Sequence, residues 1–207
     1  CKSAGTYVIR ARAWDTLNSV EKLSTNTPTI TVIGYTSQYP TQDTDHVKAT
    51  TYYSGYYPHL TTDPTKSLTG YSGSNSWLTT STTNQRFHID LGSGKIIKRI
   101  YYENGHDSGG ETDRGAKNFT FWGSNTGAGT FDDLVYANDE GWTQISTSQS
   151  TFDEHVALDQ ADPKYITVTN STSYRYYAFK FADNYGDARF IVAAVWPHFM
   201  KVTAGNF

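Results

Sequence analysis

The sequence predicts an all-β protein built as an antiparallel β-sandwich or jelly roll. Three observations carry that expectation. Aromatic residues make up 15% of the 207-residue chain, with 16 Tyr, 5 Trp and a single Met, a composition suited to pleated, half-buried surfaces. Phe87, Ile89 and Leu91 alternate with His88 and Asp90, the period-2 pattern of a strand with one face buried. Short apolar runs recur near 86–91, 96–103, 117–123, 142–145, 164–168, 174–182 and 190–196, with turn-forming residues between them, which is the spacing of sandwich strands.

Taken in order, Thr6–Ala13 alternates as a strand, Asp15–Ser19 reads as a turn, and Thr29–Ile33 reads as a second strand ending at Gly34. Two strands cannot bury a sheet face alone. Residues 35–76 are polar, aromatic and irregular, and Pro40, Pro58 and Pro64 exclude long regular elements there. Within them Tyr52, Tyr53, Tyr56 and Tyr57 bracket Ser54-Gly55. Gly92-Ser93-Gly94 is expected to break the strand that follows. The alternation points His88 to solvent. Phe131–Ala137 suits either one helical turn or a loop.

Bulk properties exclude several function classes. The net charge is −3 and 18% of residues are charged, so nothing offers the basic surface that nucleic acid demands or a polybasic patch for anionic lipid. No apolar run approaches the roughly 18 residues of a membrane span. A secretory leader is absent, so the chain is expected to be mature, a fragment, or exported by another route. The one cysteine, Cys1, permits no intrachain disulfide. It is either a lipoprotein's acylated terminus or simply where a fragment starts. No Gly-x-Ser-x-Gly, His-Glu-x-x-His or phosphate-cradling glycine loop occurs. The six histidines are dispersed, which argues against zinc. The expectation is a protein that is not an enzyme.

With these elements placed, residues 35–207 resemble a discoidin-type module, the coagulation-factor C-type domain of the galactose-binding-like jelly-roll superfamily. The resemblance rests on Ser76-Trp77, RFHIDLGSGKIIKRIYY at 86–102, KNFTFWGSNT at 117–126, GWTQI at 141–145 and SYRYYAFKFADNYG at 173–186. It makes Trp77 and Trp142 core fillers between the sheets, Asp90 and Gly92 a strand-to-turn corner, and Tyr176-Tyr177 part of a late core strand. GTYVIRARAWD and TITVIG, within residues 1–34, resemble the last two strands of a bacterial immunoglobulin-like domain, or else form a linker hairpin. Members of the discoidin-type family bind sugars, phospholipid headgroups or proteins through loops at one end of the sandwich, and many hold a structural calcium. Here Thr69 stands where the family's calcium Asp is expected and Ile191–Val195 offers no Glu. Calcium is therefore disfavoured, with Asp63 the remaining candidate ligand, and no cofactor is expected.

The candidate binding residues lie in loops. In Asn104–Gly115, His106, Asp113 and Arg114 can hydrogen-bond sugar hydroxyls, Arg114 through its fixed fork of donors. The alternative is a solvated loop in which Arg114 pairs with Asp113 or Glu111. In the last loop Asn184, Tyr185 and Arg189 form a similar set, and the resemblance implies an aromatic platform there, which makes Tyr185 the residue to stack on a pyranose. Tyr52, Tyr53, Tyr56, Tyr57 and His59 make either an aromatic platform or a protein interface. The resulting expectation is a non-catalytic binding module that recognises a glycan or glycoprotein on an extracellular, cell-surface or virion-surface assembly. The rival is a structural subunit whose loops and N-terminal strands contact neighbouring chains.

Overall fold

A computed structural model of the chain describes the backbone of residues 5–8, 12–15, 20–23, 29–32, 34–188 and 191–201, and the side chains of residues 35–188 with the exception of Ser74. The chain divides into two compact units, Cys1–Thr36 with Met200–Phe207, and Ser37–Phe199. In the first, β1 (Gly5–Val8) pairs antiparallel with β4 (Thr29–Val32), and β2 (Arg12–Asp15) with β3 (Val20–Leu23). The single strand expected over 6–13 is thus two strands with different partners, and residues 9–11 lie outside the described residues. The immunoglobulin-like reading of 1–34 likewise falls largely outside them. Strand β5 (Gly34–Ser37) follows.

The second unit holds β6 (Val47–Ala49), β7 (Trp77–Leu78), β8 (Gln85–Lys95), β9 (Ile97–Asn104), β10 (Phe119–Ser124), β11 (Thr143–Thr147), β12 (Lys164–Thr169), β13 (Tyr174–Phe181) and β14 (Ile191–Lys201). One layer runs β6-β8-β13-β10-β11 and the other β12-β9-β14-β7. Among the described residues, Ser146–Thr169 and Thr147–Val168 join them, where β11 meets β12. Each pairing within and between these two layers is antiparallel. The sheet therefore curls on itself as a jelly-roll sandwich. Gly92–Gly94 does not end β8, contrary to expectation. Gly92 adopts φ +71°, its N–H donates to Asp90 Oδ1 at 2.7 Å, and the register on β13 slips between Tyr174 and Tyr176. The glycines make a bulge that carries the strand on to Lys95.

Registers explain the core. Phe87 lies opposite Phe179, and Phe179 opposite Phe121, while Ile89 faces Tyr177. These residues point inward with Trp77, Tyr102, Phe119, Phe152, Ile166 and Phe181, all buried. Phe121 stacks on Tyr177 at 5.4 Å and Tyr102 on Phe152 at 4.1 Å. The polar ends of the core rings are satisfied, as burial requires. Trp77 Nε1 donates to the Thr51 carbonyl at 2.8 Å and the Tyr177 hydroxyl to the Lys95 carbonyl at 2.5 Å.

The outer face of the same layer is buried too. A short helix α1 (Ala128–Asp132) and the loop to Trp142 lie over it, forming a second cluster of Phe131, Trp142, Tyr176 and Ala178 with Trp122 against it. Trp142 therefore fills this outer cluster and not the space between the sheets. Tyr176 belongs with it, and only Tyr177 reaches the main core. His88 is fully buried under the same cover and does not face solvent. Its Nδ1 meets the Phe131 carbonyl at 2.7 Å and its Nε2 accepts from Arg86 Nε at 3.0 Å, with Trp142 at 4.7 Å between centroids. Burial pushes the His88 pKa down to about 4.

Candidate functional site

Chain direction brings the 105–118, 148–163 and 182–188 connections to one end of the sandwich, and hydrogen bonds tie the 63–76 segment to them. Ser108 N–H donates to the Gly70 carbonyl at 3.0 Å, and Gly70 N–H donates to Asp159 Oδ1 at 2.7 Å. Gly109, at φ +84°, sits so close to the Leu158–Asp159 backbone that a Cβ would lie 2.5 Å from Asp159 N. Only glycine allows that approach. On the other flank Tyr185 N–H donates to the Asp113 carbonyl at 3.1 Å, and Ala116 bridges Asn184. Thr112 Oγ1 reaches Glu154 at 2.8 Å.

Four of the residues singled out from the sequence meet here: Asp113, Arg114, Asn184 and Tyr185. The Arg114 guanidinium lies 2.8 Å from Glu111 and 3.2 Å from Asp187, so it links the two loops. Its partners are Glu111 and Asp187, not Asp113. The carboxylates of Glu111, Asp113 and Asp187 offer oxygens within 4.8 Å of one another, with Arg114 supplying an internal cation to two of them. The Tyr185 hydroxyl donates to the Phe152 carbonyl at 2.6 Å, and Lys117 Nζ lies 5.1 Å from its ring centroid. Burial raises the Tyr185 pKa. Asn184 Nδ2 donates to the Asp187 carbonyl at 2.8 Å and its Oδ1 accepts from Gly186 N–H at 3.1 Å, which shapes the turn. Arg189 lies outside the described residues.

His106 has a different place from the one expected. It is buried, Gly109 N–H donates to its Nδ1 at 2.9 Å, and its Nε2 meets the Leu68 carbonyl at 3.0 Å. With Nδ1 accepting, Nε2 carries the proton and donates. The ring also stacks on His155 at 4.1 Å. His106 thus positions three loops and leaves no ring nitrogen for a ligand. Burial lowers the pKa of His155. Asp63 uses Oδ1 to accept from Thr65 N–H and Oγ1, at 2.9 and 2.7 Å, in a local turn.

The tyrosine cluster divides. The Tyr56 hydroxyl bonds the Tyr71 hydroxyl at 2.8 Å, which places Tyr56 with the loop end, and that bond is the main cause of its raised pKa. Tyr71 was not singled out from the sequence, yet it is 65% exposed beside Asp107, whose Oδ1 accepts from Ser72 N–H at 3.4 Å. The only sequence signal was a tyrosine directly after the turn residue Gly70. Tyr52, Tyr57 and His59 form a separate stack near β6, with Tyr52–Tyr57 centroids at 5.3 Å and Tyr57–His59 at 5.7 Å and nearly parallel. Tyr53 stays exposed and donates its N–H to the Leu78 carbonyl at 2.7 Å. Another recess, of about 230 Å3, is lined by Thr126, Thr130, Asp133, Asn138, Glu140 and Trp142.

No family model matches the chain, and no curated protein matches it in sequence. Solved structures do match in fold. The module CpGH89CBM32-5 from Clostridium perfringens, in complex with GalNAc-β-1,3-galactose, superposes with a TM-score of 0.51 at 14% identity, covering 74% of this chain and 93% of its own. The family 32 module of C. perfringens NanJ, in complex with galactose, gives 0.51 at 12% identity over 80% and 99%. The corresponding module of AlyQ, in complex with 4,5-unsaturated mannuronic acid, gives 0.50 at 14% over 78% and 97%. The chain has the fold of the family 32 carbohydrate-binding modules. That fold is the discoidin-like, galactose-binding-like jelly roll, and its sandwich carries the loop end described above.

Proposed function

We propose that the chain is a non-catalytic carbohydrate-binding module, secreted or surface-exposed, that recognises glycans at the loop end of its sandwich. The observation that carries this reading is the Arg114 bridge. A guanidinium held between Glu111 and Asp187, beside Asn184 and Tyr185, sets charged donors next to charged acceptors. Adjacent sugar hydroxyls each donate and accept, so such an alternating surface matches a vicinal diol. Exposed Tyr71 adds an aromatic face on the same end. The resemblance to modules solved with galactose, GalNAc-β-1,3-galactose and an unsaturated uronic acid supports a sugar as the ligand class. The buried carboxylate Glu103 does not argue for catalysis. Its oxygens accept from the Tyr101 hydroxyl and Asp162 N–H, both at 2.6 Å, within the framework. Among the described residues no helix is long and apolar enough to cross a membrane. The two-stranded sheets of the N-terminal unit suit completion by a neighbouring chain, which is where subunit partners enter the reading.

The test is a glycan array followed by calorimetry on the best ligand, comparing the native chain with Arg114→Lys. Lysine keeps the charge and loses the fork, so affinity should fall about tenfold, or ~1.4 kcal/mol. The thermal midpoint should hardly move, since a partly exposed ion pair contributes about 1 kcal/mol at most. Equal affinity of the two proteins would remove the loop end from the reading. Silence across the array would remove the glycan.

A further inference from the structure

The tyrosine stack beside β6 opens onto a groove of about 260 Å3, lined by Thr44, Val47, Lys48, Ala49, Tyr52, Pro58 and Leu134. Strand β6 is the last strand of its layer among the described residues, and Val47, Lys48 and Ala49 on it line the groove. Val47, Ala49 and Pro58 are buried and give an apolar floor. Tyr52 is 45% exposed and forms a wall. Leu134 forms the opposite wall, tied down by Thr50 Oγ1 donating to its carbonyl at 3.1 Å. Polar groups stand at the rim, where Lys48 Nζ lies 2.6 Å from Asp132 Oδ1 and Thr44 adds a hydroxyl.

We propose that this groove is a second sugar site, in which one pyranose ring stacks its C–H face on Tyr52 and directs hydroxyls to Lys48, Asp132 and Thr44. The inference rests on the glycan-binding reading above and adds to it a site made of other residues. Several features favour a pyranose. The sugar is apolar on one face and hydroxylated at its edge, and the groove's lining sets Tyr52, Pro58 and Leu134 beside Lys48 and Thr44. The volume lies just below the ~300–1,000 Å3 of small-molecule pockets, which fits one ring better than an extended chain. Tyr52 is also braced: it packs on Tyr57, which stacks on His59. Its ring is thus set in place before the ligand arrives, and little rotamer entropy is lost on binding. Two weak sites on one module would bind a branched or repeating glycan by avidity, gaining as much as 10²–10⁴-fold over either alone.

Amide chemical-shift titration of the full chain with galactose, N-acetylgalactosamine and mannuronic acid tests the proposal. At least one of these sugars should shift amides of 44–52 and 134 as well as those of 107–115 and 184–187. Tyr52→Ala should weaken the first set at least tenfold and leave the second unchanged, and Arg114→Lys should do the reverse. Leu134→Phe, which fills the groove while keeping it apolar, should abolish the first set with the fold intact. If sugar shifts only the loop end in the native chain, the second site is wrong and the module reading stands. If neither set moves with any of the sugars and the glycan array is silent, the module reading itself fails.

Discussion

The two faces of β8 between Arg86 and Asp90 are equally dry and chemically opposite. Inward, Phe87 and Ile89 meet Phe179 and Tyr177 in an aromatic core whose polar ends, such as the Tyr177 hydroxyl, bond backbone carbonyls. Outward, Arg86, His88 and Asp90 are buried as well. Arg86 stands directly across from Lys180 on β13, a like-charge pairing that alone would destabilise the sheet. The cover over 127–142 resolves it. Asp139 takes Arg86 Nη1 at 3.1 Å and Lys180 Nζ at 2.7 Å, and the Asn138 and Val135 carbonyls accept from Arg86 as well. Asp90 takes both Nε and Nη2 of Arg175 at 2.8 Å. Burial alone would raise the Asp90 pKa, but the Arg175 fork and Gly92 N–H outweigh it, and the net shift is downward. Burial on the outer face therefore depends on a specific set of charged partners, whereas burial on the inner face depends chiefly on ring packing, with single hydrogen bonds at the polar ends.

Three measurements separate the faces. Phe87→Ala, deep in the inner core, should cost about 3–5 kcal/mol, the range for removing a buried aromatic ring, read from the denaturant midpoint. A loss under ~1 kcal/mol would mean the core collapses around the hole. The outer face should instead reveal itself through pH. His88 is neutral in the folded protein down to about 4, against 6.5 for a free histidine. Its contribution is complete above pH 6.5, because folded and unfolded chains are then both unprotonated. It declines as pH falls toward 4, since only the unfolded chain takes up the proton, and it levels off below that. At ~1.4 kcal/mol per pKa unit the span is on the order of 3 kcal/mol. His88→Gln should flatten the stability profile between pH 4 and 6.5, and an unchanged slope would place the acid sensitivity elsewhere. Smallest is Asp139→Asn. It should cost about 1.5–3 kcal/mol, the worth of hydrogen bonds to charged groups, with the lower end favoured because Asp139 is partly exposed. Adding Lys180→Met should restore part of that loss. No recovery in the double variant would show that Asp139 serves Arg86 alone.

Strand β8 shows where sequence reasoning succeeds and where it stops. The alternation of Phe87, Ile89 and Leu91 identified the strand and its inner face correctly, because pleating is local. It sent His88 outward, which is right, and into solvent, which is not. Nothing in residues 85–91 reports that a segment some forty residues later will lie on them. Trp142 went to the wrong core for the same reason. At the loop end, Arg114, Asn184 and Tyr185 were each legible as polar or aromatic residues on glycine-rich turns. Their meeting depends on β10 and β13 running side by side, so that the connection entering the first and the one leaving the second emerge together. His106 looked like a ligand group because a histidine in a polar loop is usually exposed, but Leu68 and Gly109 take both its nitrogens. Tyr71 sat in a stretch too irregular to rank.

By itself the sequence determined the strand set of residues 85–199, the aromatic identity of the inner core and the jelly-roll class. Each follows from side-chain period and turn chemistry, which act over a few residues. Tertiary structure alone decided what covers the outer face, which loops share one end of the sandwich, and how the tyrosines of 52–57 divide between that end and the groove beside β6. Those outcomes rest on contacts between segments remote in the chain, where burial and hydrogen-bond satisfaction, and not local preference, select the arrangement.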